Sequence, residues 1–446
     1  MRTIYNDNQC PAGLAVTYYN DIYSRGFAWS TDDTVMENAL EYVLATEDMT
    51  KANVDWSKAI RIQATMKEST DVNRVTWHLF KAHVEYLEPG ATYYFRAGDA
   101  RTGYSQVGTV TIEGSPDSIK ELTFVHVTDV QEDCIPGYLQ CAKVMKAGYD
   151  KAPESKFVAF TGDITNDSHA TLDMQEWIWA MEQPKDILLN TVIVPISGNH
   201  DTYPYAFTNR FAIQWADYNH GDIEVQKTGG CYTFTYGKDM VFINTNTNEA
   251  NGLEPTFRAQ QEWLIEQLET YKDYKWKVVQ IHKGIMCGGD HTNDGEVDWL
   301  RDILPPIFAK YKVDLVLQGH DHVYTRSVSY GYGDSYDGVT PNPVAPIVYQ
   351  DYLVNGTPRL LNLEPCGTLY VTINYCARKA YPVEEVLDEV IYGGQNPIPG
   401  NSCISQPNLP MYAIVHIDED MLIYDAYTYD SAKDVSTLYD TFAIRK

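Results

Sequence analysis

The stretch Phe157-Val158-Ala159-Phe160-Thr161-Gly162-Asp163 decides how the chain is read: four apolar residues of high β-propensity run into a glycine and a carboxylate. It predicts a buried strand feeding a tight turn, because glycine has no Cβ to obstruct a sharp change of direction. Asp163 would then stand at the carboxyl edge of a sheet, where open α/β folds bind their ligands. A single Gly-Asp after an apolar run is an ordinary turn.

The arrangement recurs, however. Phe124-Val125-His126-Val127-Thr128 leads to Asp129 and Gln131, and Val192-Ile193-Val194-Pro195-Ile196 leads to Gly198-Asn199-His200-Asp201. Val278-Val279-Gln280-Ile281 leads to His282, and Leu315-Val316-Leu317 to Gly319-His320-Asp321-His322. Five predicted strands thus deliver carboxylates, imidazoles and amide oxygens, the donor types that hold metal ions, to one edge of one sheet. Between them, residues 134–151, 171–190, 256–272 and 296–311 carry apolar residues at mixed three and four spacing, with Pro184 ending or kinking the second segment. Strands alternating with helices predict parallel βαβ units in a layered α/β domain, residues 119–430. Cys231–Thr235 and Met240–Ile243 read as a hairpin added to it. Residues 330–365, rich in Tyr, Gly, Pro and Asp without periodicity, read as a long loop insertion.

Residues 10–114 show about seven short alternating runs punctuated by polar, Gly and Pro residues, which predicts an all-β sandwich. Leu87-Glu88-Pro89-Gly90-Ala91-Thr92-Tyr93 suits the corner that ties two strands of such a sandwich, and Glu113–Ser118 reads as a short polar linker. This part holds no ligand cluster and is expected to act as a packing or spacer module.

With 446 residues, 44% of them hydrophobic and 13% aromatic, the chain has material for two or three folded cores. Its 34 basic against 61 acidic residues give a net charge of −27, which argues against nucleic-acid binding and against attachment to an anionic membrane. No apolar run approaches the roughly 18 residues that cross a bilayer, and Met1–Asn6 lacks the apolar core of a signal peptide. A soluble protein is expected, with the compartment open: a secreted or cell-surface protein whose leader has been removed fits. Eight dilute cysteines without a Cys-x-x-Cys pair suggest neither a disulfide scaffold nor a zinc or redox motif.

The ordered series Asp129-x-Gln131, Gly162-Asp163, Gly198-Asn199-His200-Asp201, His282 and Gly319-His320-Asp321-His322 resembles the five-block signature of the calcineurin-like metallophosphoesterases. The continuation Val323-Tyr324-Thr325-Arg326-Ser327 and the preceding sandwich resemble the purple acid phosphatase branch. The resemblance implies a fibronectin-III-like β-sandwich followed by a four-layer α/β/β/α domain with a dinuclear metal centre. It implies that Asp163 bridges two metals, with Asp129, Gln131 and His322 on one and Asn199, His282 and His320 on the other. The ions would be divalent or mixed-valence Fe, Mn, Zn or Mg. His200 would be an outer-sphere acid held by Asp201, and His291 a second outer-sphere histidine, though an ordinary surface histidine is equally compatible with its loop. Two positions depart from the pattern. Asn166 stands where the purple branch has the tyrosine that colours ferric iron, and Gln131 stands where the wider family has histidine.

The function so implied is phosphoester hydrolysis by metal-activated water, first of all on phosphomonoesters, with a small phosphorylated substrate. A phosphodiesterase or nucleotidase of the same fold is the alternative, and a catalytically silent binding or adhesion protein a third reading. His126 is expected to be a satisfied core residue, and His169, His220 and His416 show no ligation pattern. Oligomeric state is not encoded in any pattern of the chain.

Overall fold

The computed structural model describes residues 9–70, 75–166, 173–202, 206–218, 229–250, 254–331, 342–343, 347–363, 367–384 and 403–446, so His169 and His220 lie outside the described residues. Ahead of residue 112, a four-stranded sheet in the order Ala12–Thr17, Arg25–Asp32, Thr76–Val84, Thr65–Thr70 faces a five-stranded one. The second runs Ile60–Gln63, Ala39–Leu44, Thr92–Asp99, Gly103–Tyr104, with Gly108–Thr111 paired to Thr92–Asp99. Leu14, Phe27, Trp29, Leu40, Phe80, Phe95 and Val110 fill the space between the sheets. The Glu88 backbone N–H donates to the Tyr93 hydroxyl (3.3 Å), which ties the corner before that strand.

The junction is not a free linker. Glu113 is buried, pairs with Arg25 (2.8 Å) and accepts from the Tyr18 hydroxyl (2.7 Å). This buried pair fixes the first residue of the junction to the sandwich, since breaking it would strand an uncompensated charge. Gly13 N–H to Glu182 Oε1 (2.9 Å) and Thr17 Oγ1 to the Ala212 carbonyl (2.9 Å) further fasten the sandwich to the following domain.

That domain is built on two mixed sheets. One has the order Val192–Pro195, Phe157–Phe160, Leu122–Val127, Met411–Ile417, Met421–Asp430, Val435–Arg445, Thr357–Leu363, Ile347–Val354. The other has the order Tyr232–Tyr236, Met240–Asn244, Trp276–Lys283, Leu315–Gly319, Leu369–Thr372, Tyr324–Arg326, Cys403–Ser405. Phe124 and Phe157 of the first meet Phe242 of the second edge to face at 5.7 and 5.5 Å, so the sheets pack through aromatic rings. Helices Ile135–Lys151 and Asp173–Glu182 pack on the first sheet, and Glu254–Thr270 and Gly295–Tyr311 on the second. The architecture is the expected α/β/β/α sandwich. Pro184 separates Asp173–Glu182 from the short Lys185–Leu188 helix, as proline without an N–H requires.

Two expectations are corrected. Residues 330–365 are not one long loop: Ile347–Val354 and Thr357–Leu363 pair antiparallel and extend the first sheet through Leu361 and Ala443. The domain also runs past residue 430, because Val435–Arg445 is an interior strand between Met421–Asp430 and Thr357–Leu363.

Candidate metal centre

The five ligand strands do not share one sheet as expected: Leu122–Val127, Phe157–Phe160 and Val192–Pro195 are parallel neighbours in the first sheet, and Trp276–Lys283 and Leu315–Gly319 in the second, so two packed sheets each release their chains toward the cluster. At that edge Asp129, Gln131, Asp163, His320 and His322 have φ of 51°, 43°, 52°, 73° and 35°. L-residues adopt this left-handed region rarely and at a cost, and such strain gathers where surroundings impose a function-specific geometry. Glycines make the approach possible: a Cβ on Gly198 would overlap Asp163, and one on Gly319 would overlap Thr128 and Asp129.

Ligand-type atoms of Asp129, Asp163 and His322 lie within 4.8 Å of one another, and so do those of Asp163, His282 and His320. Asp163 belongs to both groups, and all five residues are buried. Asn199 Oδ1 lies 3.0 Å from His282 Nε2, and the His200 N–H donates to Asp163 Oδ1 (2.9 Å).

Two of the histidines are locked in one orientation. His282 Nδ1 is 2.7 Å from the Thr161 carbonyl and His322 Nδ1 is 2.6 Å from the Lys379 carbonyl. A carbonyl can only accept, so both rings carry a proton on Nδ1 and turn Nε2 inward. Among the described residues, His320 Nε2 and His322 Nε2 are buried without a hydrogen-bond partner, His322 Nε2 lying 3.2 Å from the Asp129 carboxylate. Buried nitrogens left unpaired beside carboxylates are what a bound cation would satisfy, so the residues present fit a metal centre.

Charge follows the same logic. Burial, the largest influence on Asp163, opposes its ionised form, but His282, His200 and His320 together hold the carboxyl well below its usual range. His320 is pushed well below the ordinary imidazole range by burial and by His282 and His291, which keeps it in the neutral, ligating form. On His282 burial is outweighed by Asp163 and Asp129, which raise it to about 9.

Around this nucleus the expected outer residues take unequal places. The His200 ring is half-buried and its Nδ1 is held by the Asn166 carbonyl, so the position that lacks the tyrosine contributes a backbone oxygen. Asp201 does not hold the His200 ring, contrary to expectation. It is fully buried, and its carboxylate accepts from the N–H groups of Gly198 (2.9 Å), Ile164 (3.2 Å) and Thr165 (3.0 Å) and from Thr165 Oγ1 (3.0 Å). It clamps the Asn199 turn to the turn after Asp163 because those backbone donors, left buried, need an acceptor. His291 is brought to the site: its ring stacks on His320 at 4.1 Å and pairs with Asp294 (2.8 Å). Asp321 carries the loop that places it, accepting from the N–H groups of Gly289 and His291.

Gln131 is also present but differently used. Its Nε2 donates to Asp163 Oδ2, and its Oε1, the atom expected to ligate, accepts from Lys379 Nζ (2.7 Å). Lys379 and Tyr381, whose ring stacks on His322 at 4.4 Å, were not visible as site residues in the sequence, since neither follows a strand in the recurring pattern. His126 is the satisfied core residue expected, bonded to the Tyr424 hydroxyl and Thr161 Oγ1 at 3.0 Å each. His416 bonds Thr123 Oγ1 (2.9 Å).

Comparison with known proteins places this geometry. Residues 122–324, which include every candidate ligand, match the family model described as calcineurin-like phosphoesterase. An uncharacterised protein of Mycobacterium tuberculosis, Rv2577, is 33% identical over 165 residues, covering 34% of this chain and 31% of that protein. Purple acid phosphatase 5 of Arabidopsis thaliana is 22% identical over 283 residues, 62% of each chain. The chain thus spans 31% of the length of the first curated relatives it matches. Among solved structures, purple acid phosphatase PPD1 from yellow lupin (Lupinus luteus) superposes with a TM-score of 0.67 at 14% identity, over 98% of this chain and 74% of that one. PhoD superposes with a TM-score of 0.62 at 11% identity, over 100% of this chain and 91% of that one. At these identities the two structures speak for the fold. The strand-edge cluster around Asp163 lies within the matched span, and the chain carries a calcineurin-like phosphoesterase domain over residues 122–324.

Proposed function

We propose that the protein is a metal-dependent phosphoester hydrolase with a two-metal centre, acting first of all on small phosphomonoesters. The observation that carries the reading is one buried carboxylate, Asp163, shared by two groups of ligand-type atoms, with the buried His320 Nε2 and His322 Nε2 making no hydrogen bond among the described residues. Asp129 and His322 would complete one site with Asp163, and Asn199, His282 and His320 the other. Gln131 would join the first only by turning its amide away from Lys379. The donor set, hard oxygens with some imidazole, suits Fe, Mn, Zn or Mg. When bound, two such ions would polarise phosphoryl oxygens and make a water acidic enough to attack phosphorus.

The chain's own residues supply the rest. With Nδ1 engaged by Asn166, His200 is left with Nε2 as the ring position that can carry a proton to the leaving oxygen. His291, held by Asp294 and stacked on His320, would donate to a phosphoryl oxygen. Asp201 and Asp321 keep the two carrier loops in place. Residues 10–114 would serve as a fibronectin-III-like spacer fused to the phosphoesterase domain. No described helix is long and apolar enough to cross a membrane.

The test is to strip the protein with chelator, reload it with Fe, Mn, Zn or Mg singly, and assay a panel of phosphomonoesters and diesters. Hydrolysis should vanish on stripping and return with metal, fastest on monoesters. Hydrolysis that survives complete metal removal, or that no metal restores, would refute the reading.

A further inference from the structure

We propose that the Lys379 side chain is the phosphate anchor of this site, an ammonium that pairs with a phosphoryl oxygen and favours dianionic monoesters over diesters. The inference rests on the phosphoesterase reading and names the residue that sets its substrate class.

A net charge of −27 repels phosphate from the molecule as a whole, so an approaching anion depends on local cations. Most of those near the centre are already neutralised. Arg378 pairs with Glu132, Lys283 with Glu296 (2.7 Å) and Arg301 with Asp298 (2.5 Å). Lys379 differs: among the described residues its Nζ meets no carboxylate and donates only to Gln131 Oε1 (2.7 Å), with the Tyr381 ring centroid 5.1 Å away. An ammonium has three N–H groups, so two remain for a ligand.

The position is built rather than incidental. The Lys379 carbonyl accepts from His322 Nδ1 (2.6 Å), and Gln131 in turn donates to Asp163, so the ammonium stands two hydrogen bonds from the shared carboxylate. The segment that carries it is tied on both sides: Cys376 N–H donates to the Thr128 carbonyl (3.0 Å), Gln406 Nε2 to the Tyr381 carbonyl (2.7 Å), and Glu384 N–H to the Gly288 carbonyl (3.0 Å). Tyr381 stacks on His322 at 4.4 Å and meets His291 edge to face at 5.5 Å, which sets the segment beside both the cluster and the outer histidine. Lys379, Tyr381, Asn199, His200 and His291 are all half-buried, whereas Asp129, Asp163, His282, His320 and His322 are buried, so Lys379 belongs to the open rim. A monoester dianion offers one more charged oxygen than a diester monoanion, and a rim ammonium discriminates by that charge.

The experiment compares the full-length, metal-loaded protein with Lys379→Met and Lys379→Arg. Neither substitution touches the backbone carbonyl that holds His322. Inorganic phosphate affinity is measured by titration calorimetry alongside metal content, and kcat/KM on phenyl phosphate against methyl phenyl phosphate. Lys379→Met should bind phosphate about 10- to 100-fold more weakly, the loss of one charge-assisted hydrogen bond, with metal content unchanged. Its monoester-to-diester ratio should fall by about tenfold or more, and Lys379→Arg should recover most of both. Unchanged phosphate affinity with metal retained would overturn the proposal. So would loss of metal in both variants, which would make Lys379 a support for Gln131 alone. A wild-type protein that binds no metal and cleaves neither ester would instead overturn the phosphoesterase reading.

Discussion

Removing the Asp201 carboxylate isolates what holds the two ligand turns together. In Asp201→Ala three buried backbone N–H groups, those of Gly198, Ile164 and Thr165, lose their acceptor, whereas the Thr165 hydroxyl keeps the His200 carbonyl at 3.1 Å. Leaving a buried donor unpaired costs about 1–3 kcal/mol, and water entering the vacated space would relieve part of it, so the expected loss is about 3–6 kcal/mol. Against a total stability of about 5–15 kcal/mol that is a large share, and for a domain of this size it corresponds to a fall in Tm of roughly 5–10 °C. Asp201→Asn retains one accepting oxygen but turns an NH₂ toward a donor. Burial and the Asp163 charge raise Asp201 to about 6, so the amide also relieves some repulsion, and its loss should be about half that of alanine. The assay is a thermal melt of both variants with metal content measured before and after dialysis. Both quantities should fall together, because the clamp carries Asn199. Had Asp201 acted by orienting His200, kcat would drop while Tm and metal content stayed put, and that result would refute the clamp.

For His200→Asn, kcat/KM on an alkyl phosphate should fall about 10²–10⁴-fold while nitrophenyl phosphate, whose anion leaves unaided, falls at least tenfold less; equal losses would remove the proton-donor role. Iron-loaded protein should lack an intense visible band, since Asn166 replaces the tyrosine and the Tyr381 phenol is pushed up by burial and then by Asp129 and Asp163. A band that disappears in Tyr381→Phe would show that Tyr381 ligates instead. Burial pushes His126 down to about 3, so the folded chain stays neutral there while the unfolded chain takes up a proton below about 6.5. Stability should therefore fall between about pH 6.5 and 3, by up to about 1.4 kcal/mol per unit from this residue. Urea midpoints of His126→Gln should show a shallower pH dependence, and a parallel one would contradict the assignment.

The five ligand blocks are legible in the sequence because each stands at or just after the end of a short, mainly apolar strand, and a strand buried on both faces delivers the residues at its end to the sheet edge. The sandwich is legible for a similar reason, except that Thr65–Thr70 has a single apolar residue, the half-buried Met66, which leaves no alternation to find. Ile347–Val354 is hidden by Pro346 and by the Tyr- and Asp-rich surroundings of a sheet-edge hairpin, and its partner begins at Thr357-Pro358, which reads as a turn. Lys379 and Tyr381 are out of reach of pattern reading: they arrive at the site only because the chain after Leu369–Thr372 crosses the strand edge and is caught by Thr128 and His322. Adjacency in sequence suggests that Asp201 pairs with His200, whereas the 3-10 turn Asn199–Asp201 sends the two side chains to different partners.

If Asp163 joins two metal ions into one hydrolytic centre, metal stoichiometry and phosphatase activity in wild type and Asp163→Asn should change together. Asn keeps the shape of a side chain that is buried and accepts from the His200 N–H, while removing the charge shared by both clusters. The wild type should retain close to two metal equivalents and hydrolyse a phosphomonoester. Asp163→Asn should retain neither pair nor activity while its far-ultraviolet circular dichroism is unchanged. An Asp163→Asn protein that keeps both metals and full turnover would show that Asp163 does not join the two ions.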